Sequence, residues 1–524
     1  MQRSPITARW IPALGLPVAL LAMVQGSACS CGDSAAEGEG EEGEVEEGEG
    51  EGEGEGDEGE GEGEGECTPE SDTELCARIG KDCGTVTATD NCDAARPAVD
   101  CGACLLPEVC GGAAVANVCG VPPANDVPTV DPDATPETRA LLRNLRALAP
   151  THTMLGMQDA LGMGVFMRNS DGSVNWDAPD GVNSDIRVIC GSGPAVVGND
   201  VSSIVGDWWI GFPNIEELKT QYQARLREEV QLQHARGGMY TLSWHQSNPV
   251  TGEDYRNGPH ELWRIVPPEA CDDVVAAVPG LTDCGTHFEV FRAKIDDLAD
   301  WLNTLEDDNG NPIPIVVRPF HENNGGWFWW GANDGSGSTT ASVRYQTVHR
   351  AIWQWMVTYV SQTKNVHNVL WAMSPNGTGG WHPLTREEYL SFGPGLDLVD
   401  VLGYDFYATD LTGADEWGSG ALPELAMLTA LAEETDKVAA MTEGGSPGGH
   451  RDNYACDFWT RQQLGPILND PAASRIAWYL TWTNTPEGTW WGPVPGSCSE
   501  PDFLEVCEYP DTLLEGEADL YADP

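Results

Sequence analysis

From about residue 137 onward, short apolar runs alternate with stretches in which apolar positions recur at helical spacing. Asn214–Ala235 reads as a helix, and Met239–His245 as the strand that follows it. Phe288–Glu306 precedes the strand-like run Ile313–Glu322, and Ala341–Gln362 precedes Val369–Asn376, in the same way. Three more runs, Leu398–Tyr407, Val438–Glu443 and Ile476–Asn484, each follow a helical stretch. Met154–Asp159 and Ala195–Asp200 complete the set at its start. Eight strands with helical connections across residues 137–515 predict an α/β fold, a single (β/α)8 TIM barrel with extended loops.

The chain ahead of this region is patterned differently. Arg3 and Arg9 precede an apolar run from Ile11 to Val24, then the small residues Gly26, Ser27 and Ala28. Residues 1–28 therefore read as a signal peptide, too short and wrongly flanked for a spanning helix. The small residues end at Cys29, as in a bacterial lipoprotein processing site, although Gly26 stands where such sites usually carry Leu. Cys29 is then the lipidated residue; free secretion after cleavage near Ala28 is the alternative. Within residues 29–66, Glu37–Glu66 is nearly pure Glu-Gly, with Val45 its one apolar side chain. Such a segment cannot offset its ordering entropy by burial, and its charges extend it, so it reads as a disordered acidic linker. Residues 67–120 carry Cys67, Cys76, Cys83, Cys92, Cys101, Cys104, Cys110 and Cys119 among few core-forming residues, which predicts a small module held by disulfides. The Cys101-Gly-Ala-Cys104 spacing has no matching histidine-bearing half that would favour zinc. Residues 121–136 are Pro-rich and read as a linker.

Composition narrows the partners. A formal charge of −56 excludes nucleic acid phosphates and anionic membrane surfaces, leaving an N-terminal lipid as the sole membrane contact. Sixteen cysteines point to an oxidising compartment, hence an exported protein at the outer membrane or cell surface, or secreted. Twenty tryptophans favour a carbohydrate ligand, because indole faces stack on the apolar faces of sugar rings; filling a core is the plainer use of any one of them.

Barrel enzymes place their chemistry at the C-terminal ends of the strands. Here the third run ends in Ser243-Trp244-His245-Gln246 and the fourth in Arg318-Pro319-Phe320-His321-Glu322. The sixth ends in Tyr404-Asp405-Phe406-Tyr407, the seventh in Thr442-Glu443-Gly444-Gly445, and the eighth carries Trp482 and Asn484. Carboxylates, His, Tyr and Trp converging from several strands describe a sugar-cleaving cleft. Strands four and seven face each other across an eight-stranded barrel, so Glu322 and Glu443 can approach to about 5–5.5 Å, the separation of a retaining glycosidase. His321 and the aromatic run after Glu322 suggest a dry setting that raises its pKa and suits a general acid. Tyr407 can donate to Glu443 and keep it ionised as a nucleophile. The structural alternative for Glu322 is an ion pair with Arg318 or another base. His245 and His321 lack zinc-ligand spacing, and glycosidic cleavage needs neither metal nor cofactor.

The run Arg318-Pro-Phe-His-Glu-Asn-Asn-Gly-Gly-Trp-Phe-Trp-Trp-Gly331 resembles the acid/base motif of glycoside hydrolase family 26, mostly β-mannanases. The resemblance spans roughly residues 137–515. It implies a (β/α)8 barrel and a retaining mechanism, with Glu322 as acid/base and Glu443, in Thr-Glu-Gly-Gly, as nucleophile. It also implies that His321 and Trp327 line the cleft, that Asp405 and Tyr407 belong to an Asp-x-Tyr element supporting the nucleophile, and that His245 contacts the sugar at the cleavage site. Trp263 and Trp482 match sugar-stacking positions. The family's mannanases often carry Arg after the tryptophan matching Trp482, where this chain has Thr483. The expected activity is a monomeric endo-β-1,4-mannanase acting on a β-linked polysaccharide. A β-1,3-xylanase or mixed-linkage β-glucanase of the same family, and a surface glycan-binding protein without catalysis, are the competing readings. Neighbouring positions suggest Cys271–Cys284 and Cys498–Cys507 bridges, which leaves Cys190 with Cys456.

Overall fold

A computed structural model describes residues 67–522 apart from 105–107, 113–114, 121–127, 176–177, 257, 259, 333–338, 379–383, 408–415, 447–454 and 487. The expected signal peptide, Cys29 and the acidic linker lie outside the described residues. So do residues 121–127 of the expected Pro-rich linker.

Eight parallel strands close on themselves: β1 (Thr153–Gln158), β2 (Val196–Asp200), β3 (Met239–Ser243), β4 (Ile315–Arg318), β5 (Val369–Met373), β6 (Val401–Tyr407), β7 (Val438–Gly445) and β8 (Trp478–Thr481). Each pairs with the next, and β8 returns to β1 with Trp478 opposite Met154 and Thr481 opposite Met157. A two-residue strand, β9 (Thr512–Leu513), pairs with the first residues of β1. Apart from the half-buried Tyr407, every residue of these strands is buried, as expected for a parallel sheet covered on both faces.

The two faces of each strand feed different cores, because successive side chains alternate. Val197, Leu242, Val317, Trp371, Leu402 and Met441 belong to a core shared with helices Ile215–Ala235, Phe288–Leu302, Val343–Thr358 and Glu416–Glu434. Met154, Val196, Met239, Leu370, Val401 and Val438 join Leu141, Leu142, Leu145 and Leu148 of helix Pro136–Leu148 in a second core. These strand residues are first or second in their strands, so that helix lies across the N-terminal end of the barrel. It starts cleanly: the Thr135 side chain accepts from Thr138 N, and Pro136 occupies the first turn, where its missing N–H costs nothing. The chain just before it is not a free linker. Val130 N donates to Asp400 Oδ1 at 2.8 Å, Thr135 N donates to the His367 carbonyl at 2.9 Å, and Asp131 Oδ2 lies 2.7 Å from His367 Nδ1. The expected linker over 121–136 is thus corrected at its C-terminal end, where 128–136 is strapped to the barrel.

Two further expectations need correction. The run Ile313–Glu322 is strand only over Ile315–Arg318, because Phe320 and Glu322 both take left-handed backbone (φ 52° and 50°). Of the barrel bridges, Cys271–Cys284 forms as expected, but Cys190 pairs with Cys507 and Cys456 with Cys498. Helix Asp185–Cys190 packs against helix Glu500–Cys507, which brings together two cysteines 317 residues apart.

Residues 67–120 contain helix Asp72–Ile79, capped by a reciprocal Ser71–Glu74 box, and an antiparallel hairpin of Thr85–Thr89 with Ala95–Asp100. Its buried core is little more than Leu75, Cys76, Val86 and Val99. Four disulfides supply what that core cannot: Cys67–Cys92, Cys76–Cys101, Cys83–Cys110 and Cys104–Cys119.

One buried histidine makes stability pH-dependent. His349, in helix Val343–Thr358, is 1 % exposed, stacks on Tyr345 and finds no hydrogen-bond partner for either ring nitrogen. Burial pushes its pKa down to about 3. The unfolded chain takes up this proton below about pH 6.5 and the folded chain does not, so stability falls as pH drops through that window. His349→Phe is expected to lose about 2 kcal/mol less stability than wild type between pH 7 and pH 5, read from denaturant unfolding at both pH values.

Candidate active site

The C-terminal ends of β4, β6 and β7 meet around one guanidinium. Arg318, the last residue of β4, is 2 % exposed. Its Nη1 donates to Asp405 Oδ2 at 2.7 Å and to Ser374 Oγ at 2.9 Å, and its Nη2 donates to Glu443 Oε1 at 2.5 Å. Burial by itself would lower the pKa of Arg318, but Asp405 and Glu443 reverse this and raise it. The structural alternative read from sequence, an Arg318–Glu322 pair, is therefore replaced by a bridge from Arg318 to Asp405 and Glu443. Asp405 also accepts from Ser374 Oγ at 2.7 Å and from Thr442 Oγ1 at 2.6 Å. Burial pushes its carboxyl up, to about 7, against the pull of Arg318 and the two hydroxyls.

Glu443 has a second donor in Tyr407, whose hydroxyl lies 3.1 Å from Oε2. With a guanidinium on one oxygen and a phenol on the other, it is held as an acceptor. Glu322 is placed differently. Its one donor among the described residues is Trp327, whose indole N–H reaches Oε2 at 2.6 Å. Burial, and then the charges of Glu443 and Asp405, push its pKa well above the usual carboxylate range. One oxygen from each of Glu322, Asp405 and Glu443 lies within 4.8 Å of the others. Three carboxylates this close could gather a cation, yet Arg318 already fills that role for two of them. The sulfurs of Cys83, Cys104 and Cys119 also cluster, but all three are in disulfides.

His245 follows the end of β3. Its ring packs edge-on against Tyr255 (4.8 Å between centroids), His321 (4.6 Å), Phe328 (5.4 Å) and Trp482 (5.6 Å). Trp327 keeps 43 % of its surface exposed beside Glu322, so its ring is available for stacking. Trp482, at the end of β8, is half-buried.

The structure brings together Glu322, Glu443, His245, His321, Trp327, Asp405, Tyr407 and Trp482. Three assignments read from sequence change. His321 and Asp405 are both fully buried and do not open on the cleft as substrate contacts would. His321 lies among His245, Phe328 and Trp330, with Nε2 3.8 Å from Glu443 Oε1, and burial pushes its pKa well down. Asp405 is spent on Arg318. Trp263 turns to helix Val343–Thr358, where the Arg344 guanidinium sits 3.9 Å from its ring centroid and covers one face. Trp329 and Trp330 are core, their indole N–H groups donating to the carbonyls of Gln246 and His321. Sequence reasoning missed Asp200, which lies 2.7 Å from His245 Nδ1, and Trp491, whose ring meets Tyr407 at 5.2 Å. Asp200 ends a strand run, the one signal that could have marked it. Trp491 lies in a loop after β8 with no such signal. The loop comes so close to β7 that a Cβ on Gly445 would stand 2.5 Å from the Trp491 carbonyl.

The family description for Glycosyl hydrolase family 26 matches residues 130–446 of the chain. The chain belongs to this family. A mannan endo-1,4-beta-mannosidase of Bifidobacterium adolescentis is 29 % identical over 403 residues, covering 74 % of this chain and 36 % of that protein. A mannan endo-1,4-beta-mannosidase of Bacillus subtilis is 25 % identical over 289 residues, 55 % of this chain and 68 % of the relative. The chain thus spans little more than a third of the Bifidobacterium relative's length. Among solved structures, the modular endo-beta-1,4-mannanase of Cellulomonas fimi superposes with a TM-score of 0.63 at 32 % identity, covering 76 % of this chain and 80 % of that one. A Bacteroides ovatus family 26 beta-mannanase gives 0.55 at 31 % identity, over 74 % and 98 %. The family 26 match takes in Glu322 and Glu443 and stops at Ser446, short of β8 and Trp482.

The Trp327–Glu322 bond gives a test of this electrostatic arrangement. An N–H donor stabilises the carboxylate, so its removal raises the Glu322 pKa further and keeps the proton on to higher pH. Trp327→Phe is expected to move the alkaline limb of the kcat/KM profile upward by about one pH unit. An unchanged limb would mean that this bond does not tune Glu322.

Proposed function

We propose that the chain is a retaining endo-β-1,4-mannanase working through Glu322 and Glu443. The observation that carries this reading is the pair's spacing together with its opposed environments. Carboxyl oxygens within 4.8 Å suit direct attack, and leave less room than the water an inverting enzyme must hold between them. Glu322, with its pKa pushed up, gives its proton to the leaving glycosidic oxygen. Glu443, held by Arg318 and Tyr407, attacks the anomeric carbon, and the C–O bond to the leaving sugar breaks as the glycosyl ester forms. Glu322, now ionised, takes a proton from water as that water displaces Glu443, and both residues return to their starting states. Trp327 and Trp482 offer indole faces to the sugars on either side. The printed activities of the family 26 relatives support β-1,4-mannan as the substrate. Thr483 offers no cation beside Trp482, so the subsite there binds by stacking and neutral hydrogen bonds.

The reading extends to location. We infer that the protein is exported and acylated at Cys29, with the acidic segment as spacer and the disulfide module as stalk. The seven disulfides among the described residues support an oxidising compartment.

Product analysis of the full chain on galactomannan, β-1,3-xylan and mixed-linkage β-glucan tests the activity. Short manno-oligosaccharides are expected, with none from Glu443→Ala. Glu322→Ala is expected to lose about 10²–10⁴-fold on galactomannan and far less on an aryl glycoside whose leaving group needs no proton. Products from xylan or glucan alone would overturn the mannan assignment and keep the mechanism. For the anchor, incorporation of labelled palmitate is expected in wild type and not in Cys29→Ala; equal labelling of both would refute it.

A further inference from the structure

His245 is held from behind by a carboxylate that no feature of the two-glutamate chemistry requires. Asp200, at the end of β2, is 5 % exposed. Its Oδ2 lies 2.7 Å from His245 Nδ1 and accepts from Ser243 Oγ at 3.0 Å and from the His245 backbone N–H at 3.1 Å. Its Oδ1 accepts from Ser202 N at 2.8 Å and from His245 N at 3.2 Å. Among the described residues, every other hydrogen-bond partner of the carboxylate is thus a donor. Ser202 also returns a bond from its hydroxyl to the His245 carbonyl at 2.7 Å, so ring and backbone are gripped together.

We propose that Asp200 is a positioning residue that holds the proton of His245 on Nδ1, so that Nε2 meets the substrate as a hydrogen-bond acceptor. An ionised carboxylate can only accept, so the nitrogen facing it must carry the hydrogen. A neutral imidazole has one N–H, which leaves a lone pair on Nε2. Nε2 has no protein partner among the described residues, although the ring is clamped by Tyr255, His321, Phe328 and Trp482. His321, in contact with that ring, reaches within 3.8 Å of Glu443, so Nε2 serves the sugar that Glu443 attacks. A hydroxyl on that sugar becomes a stronger donor as positive charge builds on its ring. The bond to Nε2 therefore tightens in the transition state, where it raises kcat as well as affinity. The proposal rests on the reading of His245 as a substrate contact.

Asp200→Asn discriminates sharply. Ser202 N–H bonds to Oδ1 alone and still needs an acceptor there, the shared His245 N–H can stay on that same oxygen, and Ser243 Oγ can turn to accept, which places the amide NH2 at the Oδ2 position facing Nδ1. It then donates, and the ring proton moves to Nε2, turning the acceptor into a donor. Nitrogen-15 NMR of the full chain labelled at histidine, with His245 assigned by its loss in His245→Phe, reads the tautomer directly. Wild type is expected as the Nδ1–H form and Asp200→Asn as the Nε2–H form, with kcat/KM on the polysaccharide reduced about 100-fold. A mannotetraose titration of Glu443→Ala is expected to shift the Nε2 resonance. An Nε2–H form in wild type would overturn the proposal even if Asp200→Asn failed to fold. So would a switched tautomer with kcat/KM within twofold of wild type, or an Nε2 resonance that does not respond to saturating oligosaccharide. The tautomer is read without turnover, so failure of this idea is distinguishable from failure of the mannanase reading.

Discussion

The active end of the barrel depends on the bridge from Arg318 to Asp405 and Glu443. Three strands end there, and their tips carry two carboxylates that would repel each other in a site almost closed to water. A planar guanidinium with paired N–H groups satisfies both at once, which a single ammonium could not do with the same geometry. Because all three groups are buried, removing one would leave an uncompensated charge, a loss of several kcal/mol. Ser374 and Thr442 add hydroxyl donors that complete Asp405. The bridge therefore fixes the relative position of β4, β6 and β7 where chemistry needs it fixed.

That arrangement also separates the two glutamates. Glu443 is surrounded by donors, and Glu322 has one indole N–H and two negative neighbours. Both carboxyls come from the same residue type near strand ends, yet one is held by donors and the other is pushed toward keeping its proton. The left-handed backbone at Phe320 and Glu322 is part of this: it ends β4 abruptly and turns Glu322 back toward the centre, with Glu322 N bonded to the Ser374 carbonyl. Phe320 is held there among Phe291, His349 and Trp353, and Trp330 Nε1 donates to the carbonyl of His321, which lies between the two left-handed residues.

Around the carboxylates stands a shell of rings held from outside. His245 is gripped by Asp200, Tyr407 meets Trp491, and Asn484 bonds to Asp185, to the Pro493 carbonyl and to Gly492 N, which folds the loop after β8 back onto β7. Helix Pro136–Leu148 lies across the opposite end of the barrel and packs its leucines there. The division of labour follows from strand direction: one end of a parallel barrel gathers loops and polar tips, and the other gathers apolar first residues.

The alternation of apolar runs and helical stretches determined the barrel, because each strand must be buried on both faces and each helix on one. Residue order alone also marked Glu322, Glu443, His245 and Tyr407, since strand ends in such a fold share one face. Tertiary structure decided what depends on distant partners. Arg318 reads locally as a neighbour of Glu322, and only the closed barrel brings Asp405 and Glu443 within its reach. Cys190 and Cys507 pair because two helices pack, not because the residues are near in the chain. Trp263 matches a sugar-stacking position in sequence, and Arg344 of a later helix covers one face of its ring. In each case periodicity tells which side chains point inward, and the contacts of a charge, a thiol or an aromatic face are set by whichever remote element arrives beside it.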